Sequence, residues 1–212
     1  MYLILLCRLR KLNFPSIQRK SASIMPELQL MMRRPNLEGL YEVDLPPSYR
    51  IRTYQHGDEE AWVDIMNESL GSGWTVSKCQ KSLIRRPQFE PEGLLFITHK
   101  GSSVGTACAW REAVAEKEIG YVHMVGILKA HRGKRLGKGL VLKVLQYLKE
   151  RGLKEARLLT DDFRLPAIKT YLNAGMEPVF REESHRGRWA NVYRSLGLEA
   201  QAAALCQERY DA

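Results

Sequence analysis

Residues Val125–Leu142 read VGILKAHRGKRLGKGLVL. Val125-Gly126-Ile127 suits the end of a strand. From Leu136 onward the apolar residues Leu136, Leu140, Val144, Leu145 and Leu148 recur at helical spacing, with Lys134, Lys138, Lys143 and Lys149 largely off that face. Between strand and helix stand Gly133, Gly137 and Gly139 among His131, Arg132, Lys134, Arg135 and Lys138. Glycine lets a ligand approach the backbone closely. The first turn of a helix offers N–H groups with no partner inside the helix, and its dipole favours an anion there. Arginine and lysine add charge-assisted hydrogen bonds. The stretch therefore predicts a pyrophosphate cradle at a strand-to-helix turn. It is not a P-loop, since G-x-x-x-x-G-K-[ST] and its magnesium-binding hydroxyl are missing. The glycine spacing is not that of a dinucleotide G-x-G-x-x-G either.

Upstream of this turn, Glu118–Lys129 reads as one long strand, preceded by a hairpin of Gly93–Lys100 and Val104–Arg111 around Gly101-Ser102-Ser103. Before the hairpin lie two helices. His56–Leu70 has Asp58, Glu59 and Glu60 in its first turn, where the dipole favours acids, and Thr75–Arg86 is stopped by Pro87. Tyr49–Thr53 alternates as a half-buried strand, Pro35–Pro47 is a connector, and Leu28–Arg33 is a short strand. Downstream, Gly152 caps the helix and Ala156–Thr160 is a strand. Pro166–Asn173 is a short helix with proline in its first turn. Met176–Arg181 and Trp189–Arg194 are expected to form a closing antiparallel pair, and Glu199–Glu208 an appended helix. The fold class is α/β in the mixed (α+β) sense, with one parallel crossover running from Glu118 to Thr160.

The chain has 212 residues with 44% hydrophobic and 27% charged side chains, an ordinary globular balance that excludes wholesale disorder and multi-span membrane proteins. The net charge of +9 is concentrated: Arg8, Arg10, Lys11, Arg19 and Lys20 fall in the first 24 residues with no acid among them. Aromatic residues are not interleaved with these cations, so nucleic acid is not expected as a partner. Met1–Cys7 is apolar but far shorter than the ~20 residues that span a bilayer, and its charges follow the apolar run instead of preceding it. No membrane association is expected, and the location is expected to be cytoplasmic. Cys7, Cys79, Cys108 and Cys206 include no C-x-x-C pair, so free thiols and no metal site are expected.

The segment His131–Leu140, HRGKRLGKGL, resembles the acetyl-CoA motif of the GNAT superfamily of N-acetyltransferases, [QR]-x-x-G-x-[GA]. Arg132 matches its first position and Gly137 its last, while Arg135 replaces the middle glycine. Ala167–Met176, AIKTYLNAGM, resembles the family's second motif, A-I-x-x-Y-x-x-x-G-F, in the same order and at the same separation. The resemblance covers about residues 49–194. It implies a GNAT-type acyl-CoA N-acyltransferase fold, a central mixed, mostly antiparallel sheet flanked by helices. It also implies three segments: a basic tail at 1–27, a single domain at 28–194, and a C-terminal extension at 195–212.

The resemblance further implies an N-acetyltransferase that moves an acetyl group from acetyl-CoA, as cosubstrate, to a primary amine by direct attack in a ternary complex. The acceptor expected is the amine of a small molecule or of a protein, with a homodimer as one assembly the resemblance allows. A non-catalytic acyl-CoA sensor of the same fold is the alternative. By the same resemblance, a bulged strand at Val125, Gly126 and Ile127 offers backbone groups to the pantetheine arm. Arg132, Gly133, Lys134, Arg135, Leu136, Gly137 and Lys138 hold the pyrophosphate. Tyr171 is the general acid toward the leaving thiolate. Many relatives carry a glutamate base on the long strand, and Tyr121 stands there in this sequence. His123, on the same strand face, is the candidate base or part of a water path, with Asp161 and Asp162 as further acidic candidates. Arg164 stands where some bacterial relatives have asparagine, seven residues before the tyrosine.

Overall fold

The computed structural model describes residues 28–207. The expected basic tail at 1–27 and the end of the expected C-terminal extension lie outside the described residues. In chain order the elements are β1 (Leu30–Arg34), β2 (Tyr49–Thr53), α1 (Glu59–Ser69), and α2 (Val76–Cys79), which runs into a π-helical turn at Gln80–Ile84. There follow β3 (Leu94–His99), β4 (Ser102–Trp110), β5 (Ile119–Ile127) and α3 (Leu136–Glu150). The chain continues through β6 (Glu155–Thr160), α4 (Leu165–Asn173), β7 (Glu177–Val179), α5 (Glu183–Ser195) and α6 (Glu199–Gln207). Among the described residues no helix is long and apolar enough to cross a membrane.

The strands form one mixed sheet in the order β2-β3-β4-β5-β6-β1-β7. β5 and β6 are parallel, and the other described pairs are antiparallel. Alternation along each strand sends its side chains to two separate cores. On one face Leu136, Leu140, Val144, Leu145 and Leu148 of α3 pack on Ile97, Ala107, Val122 and Leu158, joined by Ile168 of α4 and Trp189 of α5. On the other face Trp62, Ile65 and Met66 of α1, with Cys79 and Leu83, cover Leu94, Phe96 and Cys108. Cys79 and Cys108 are free and buried, and Cys206 is free and exposed.

The closing antiparallel pair expected at the C-terminus is not formed as expected. Trp189–Arg194 is helical, inside α5. Trp189, Asn191 and Tyr193 alternate over only a few residues, whereas His185, Trp189, Val192, Tyr193 and Leu196 recur at helical spacing over three turns. The longer period prevails because it buries Trp189 and Val192 together against the sheet. The strand that flanks β7 is instead β1. It pairs with β6 from Leu30↔Thr160 to Arg34↔Ala156 and with β7 at Met31↔Val179, Met32↔Pro178 and Arg33↔Glu177.

Arg34 fastens this N-terminal strand to the far end of α4. Its Nη1 donates to the Ala174 carbonyl at 2.7 Å, and its other nitrogens donate to the carbonyls of Asn36 and Glu38. Gly175 follows α4 at φ +80°, and a Cβ there would sit on the Arg34 guanidinium. The glycine is therefore needed twice, for its backbone conformation and for the room it leaves.

If β1 is an interior strand, its buried side chains carry stability. Met32→Ala, at a fully buried position, is expected to cost ~2–5 kcal/mol. Leu159→Ala on the neighbouring strand, 47% exposed, is expected to stay within ~0.5 kcal/mol. Urea unfolding of the two variants measures both. Equal, small effects would contradict the placement of β1 in the sheet interior.

Candidate active site

β5 and β6 are joined by three ladder steps, Ile119↔Glu155, Gly120↔Ala156 and Tyr121↔Arg157. Beyond them the two strands part. β5 continues to Ile127 paired with β4, and β6 continues to Thr160 paired with β1. The edges of Val122–Ile127 and Leu158–Thr160 that face each other are thus not zipped together.

Two features bend β5 away. Met124 has φ +52°, a left-handed conformation that is strained for a residue with a Cβ. The β4–β5 register shifts at this point, between the Thr106↔Gly126 and Cys108↔His123 pairs. At Gly126 helix α1 comes so close that a Cβ would lie 2.7 Å from Met66 Cε and 3.0 Å from Ile65 and Ser69.

Past the bulge, the Leu128 N–H donates to the Val104 carbonyl at 2.9 Å. Alternation along the strand then turns the peptide groups of Val125 and Ile127 away from β4. The Ile127 carbonyl accepts from Ser69 Oγ at 3.2 Å and from Arg132 Nε at 2.9 Å. Glu68 at the end of α1 accepts from the Lys129 N–H. These bonds lock the end of α1 to the parted strand, and Arg132 spends its Nε on that lock.

A cleft of about 1000 Å³ opens between β5, the 131–138 turn and α4. The turn has Gly133 at φ +78° and Arg135 at φ +60°. Arg135 is the residue that replaces the motif's middle glycine. Its left-handed backbone costs ~1–2 kcal/mol that a glycine would not incur. α3 begins directly after it, and no side chain caps its first turn. Its first-turn N–H groups open on the cleft, where Leu136, Gly137 and Lys138 are lining residues. A Cβ on Gly137 would meet only Thr170 Cγ2, at an ordinary 3.7 Å. Packing therefore does not demand a glycine at 137. At Gly139, by contrast, a Cβ would strike Leu45 Cδ2 at 2.6 Å, so that glycine serves the fold.

The far wall is α4. Tyr171 is 8% exposed, and burial pushes its phenol up to about 12 while the nearby Arg164 cation works against that rise. Among the described residues no hydrogen-bond partner takes the Tyr171 hydroxyl. Arg164 also lines the cleft. Its Nε donates to Asp161 Oδ2 at 2.8 Å, and the pair holds the Asp161 carboxyl below the usual carboxylate range, against the opposing effect of burial. Asp162 is paired with Arg188, which lowers its carboxyl likewise. Both acids are thus engaged in ion pairs.

Of the residues singled out in the sequence, Val125, Gly126, Ile127, Arg132, Gly133, Arg135, Leu136, Gly137, Lys138 and Tyr171 share this cleft. Lys134 and His123 are not among its lining residues. Lys134 Nζ turns back to the Ala130 carbonyl at 3.3 Å. His123 lies before the bulge with its ring 5.9 Å from that of Trp110, and burial lowers its pKa below the usual histidine value. Ser69 and Leu70 line the cleft from the end of α1 and were not legible in advance. The one trace of them in the sequence is Gly126, whose missing side chain admits the helix. The donor set fits an elongated anionic ligand with peptide-like groups: an uncapped helix start, cationic side chains around it, and strand peptides turned toward a parted edge.

The Acetyltransferase (GNAT) family model matches residues 59–176. The mycothiol acetyltransferase of Thermobispora bispora is 32% identical over 155 residues, covering 68% of this chain and 52% of that protein. That of Thermomonospora curvata is 32% identical over 153 residues, covering 69% and 50%. The chain spans about half the length of these curated relatives. Among solved structures, a GCN5-related N-acetyltransferase from Sphaerobacter thermophilus shares the fold with a TM-score of 0.59 at 24% identity, over 72% of this chain and 50% of that one.

Proposed function

The chain belongs to the GNAT acetyltransferase family, and from that premise we propose that it is an acetyl-CoA-dependent N-acetyltransferase acting on a primary amine. The observation that supports this best is the convergence of the parted β5 edge, the uncapped start of α3 and Tyr171 on one cleft. By analogy with the mycothiol acetyltransferases, we propose a small-molecule amine as acceptor.

In this reading the N–H groups of Leu136, Gly137 and Lys138 hold the pyrophosphate, with Arg135 and Lys138 adding positive charge. The outward peptide groups of Val125 and Ile127 hold the pantetheine arm. Acetyl-CoA supplies the acetyl group as a thioester whose sulfur leaves with the bonding electron pair. The amine nitrogen attacks the thioester carbon directly, a C–N bond replaces the C–S bond, and the ammonium proton passes to a base. Tyr171 Oη gives its proton to the departing sulfur and regains one from solvent. Catalysis then rests on orientation and on proton transfer, with no covalent enzyme intermediate.

Burial keeps Tyr171 protonated at neutral pH, as a donor must be. Tyr171→Phe retains the ring and removes the proton. Steady-state kinetics should show kcat lowered ~10²-fold with acetyl-CoA affinity little changed. An unchanged kcat, with chemistry rate-limiting, would make Tyr171 a packing residue.

His123 is the proposed base or a relay to it. Because burial lowers its pKa, the neutral, proton-accepting form is already dominant at pH 7. The kcat/KM profile should therefore rise with pH through an apparent value below ~6.5. His123→Gln should flatten that limb and slow turnover while acetyl-CoA still binds. A limb that survives with the same midpoint would place the titrating group elsewhere.

A further inference from the structure

Arg164 and Tyr171 stand seven positions apart, the first just before α4 and the second within it, and both line the cleft. Helical side chains lean toward the N-terminus of their helix. Tyr171 therefore leans toward Arg164, which occupies the N-cap position of α4.

The guanidinium is held from two sides. Nε donates to Asp161 Oδ2 at 2.8 Å, and Nη1 reaches the Ser69 carbonyl at the end of α1 at 3.5 Å. The Phe163 ring lies 5.2 Å from its carbon. Asp161 is itself steadied by Gln29 Nε2 at 2.8 Å. Among the described residues no protein group takes Nη2. The cation is therefore fixed in direction, spans the cleft from α4 to α1, and keeps donor capacity free.

Building on the acetyltransferase reading above, we propose that Arg164 is a positioning residue whose fixed cation compensates the negative charge shared between Tyr171 Oη and the departing sulfur. The need for such a charge is chemical. A free thiol titrates near ~8.5, well below Tyr171 at about 12. In isolation, the tyrosine would be a reluctant donor to a thiolate. When the C–S bond breaks, its electron pair stays on sulfur. As the Tyr171 proton moves to sulfur, the same unit of charge moves to the phenolic oxygen. A cation on the same cleft wall, near enough to lower the Tyr171 phenol's pKa, stabilises negative charge on the phenolic oxygen and on a sulfur held in the cleft, and no other reactant is required.

Arg164 differs in this from the other cations of the cleft. Arg132, Arg135, Lys138 and His131 belong to the strand-to-helix turn, and Lys169 lies on α4 between Arg164 and Tyr171 on another helix face. Asp161, the acid that faces Arg164, is an ion-pair partner already.

The test is a binding comparison that needs no acceptor and no turnover. Free CoA has an ionisable thiol, and S-methyl-CoA has the same phosphates and pantetheine arm with a sulfur that cannot ionise. Titration calorimetry at pH 7 and pH 9 gives the ratio of the two affinities, in which contacts common to both ligands, those with the phosphates among them, cancel. A nearby fixed cation lowers a bound thiol's pKa by ~1–3. In the wild-type protein the preference for CoA over S-methyl-CoA should therefore grow about fivefold or more from pH 7 to pH 9. Arg164→Met should lose most of that growth while its affinity for S-methyl-CoA, and hence its fold, stays within about twofold. Arg164→Lys should keep part of the growth. If wild type and Arg164→Met bind both ligands with the same pH dependence, the assignment to Arg164 falls and the acetyltransferase reading stands. If neither ligand binds the wild-type protein, both fall.

Discussion

The parting of β5 from β6 after Tyr121↔Arg157 is the constraint on which the rest of the molecule depends. A parallel pair would ordinarily keep its hydrogen bonds along its whole length, because a buried, unpaired peptide group is costly. Here each strand is anchored on its other edge, and the cost falls on the facing edges alone. β6 pairs with β1 from Ala156 to Thr160. β5 keeps β4, turns at the Met124 bulge and receives Ser69 and Arg132 on the Ile127 carbonyl. The gap that remains is bounded by peptide groups, a helix start and α4, all held by structure outside the gap. A site built this way is organised before any ligand arrives, which is what catalysis by orientation requires.

Glycines mark where this construction is tightest, and they do so for different reasons. Gly126 admits α1, Gly139 admits Leu45 of the connector between β1 and β2, and Gly175 admits Arg34. Gly137 has only Thr170 near it, at ordinary contact distance, and no neighbour that requires the missing side chain. The contrast between Gly137 and Gly139, two residues apart in one turn, separates a glycine facing the cleft from a glycine facing the core. Arg135 shows the opposite case. It accepts a left-handed backbone without the freedom of glycine, and it lines the cleft just before α3.

The strand-to-helix turn, the amphipathic face of α3, the β3–β4 hairpin and the parallel crossover were legible in the sequence because each is a local pattern of period and turn residues. Two things were not. The place of β1 beside β6 depends on a pairing across more than 120 residues, and the five residues LMMRR carry no sign of their partner. In α5 a short alternation around Trp189 overlies a longer helical repeat, so the local pattern points to a strand where a helix forms. In the site, the cleft-lining residues of the two motifs could be named in advance. The contribution of Ser69 could not, since it arrives from α1 by tertiary packing alone, and neither could the way Asp161 and Ser69 fix Arg164.

The central claim is that the parted edge of β5 and the first turn of α3 together form the cosubstrate's binding surface. Backbone amide exchange, followed residue by residue by NMR with and without acetyl-CoA, tests it most directly. The amides of Val125, Ile127, Leu136, Gly137 and Lys138 are expected to slow their exchange or shift on binding, while those of the remote edge strand β2 do not. Binding that leaves these five amides unchanged, or that perturbs β2 instead, would contradict it.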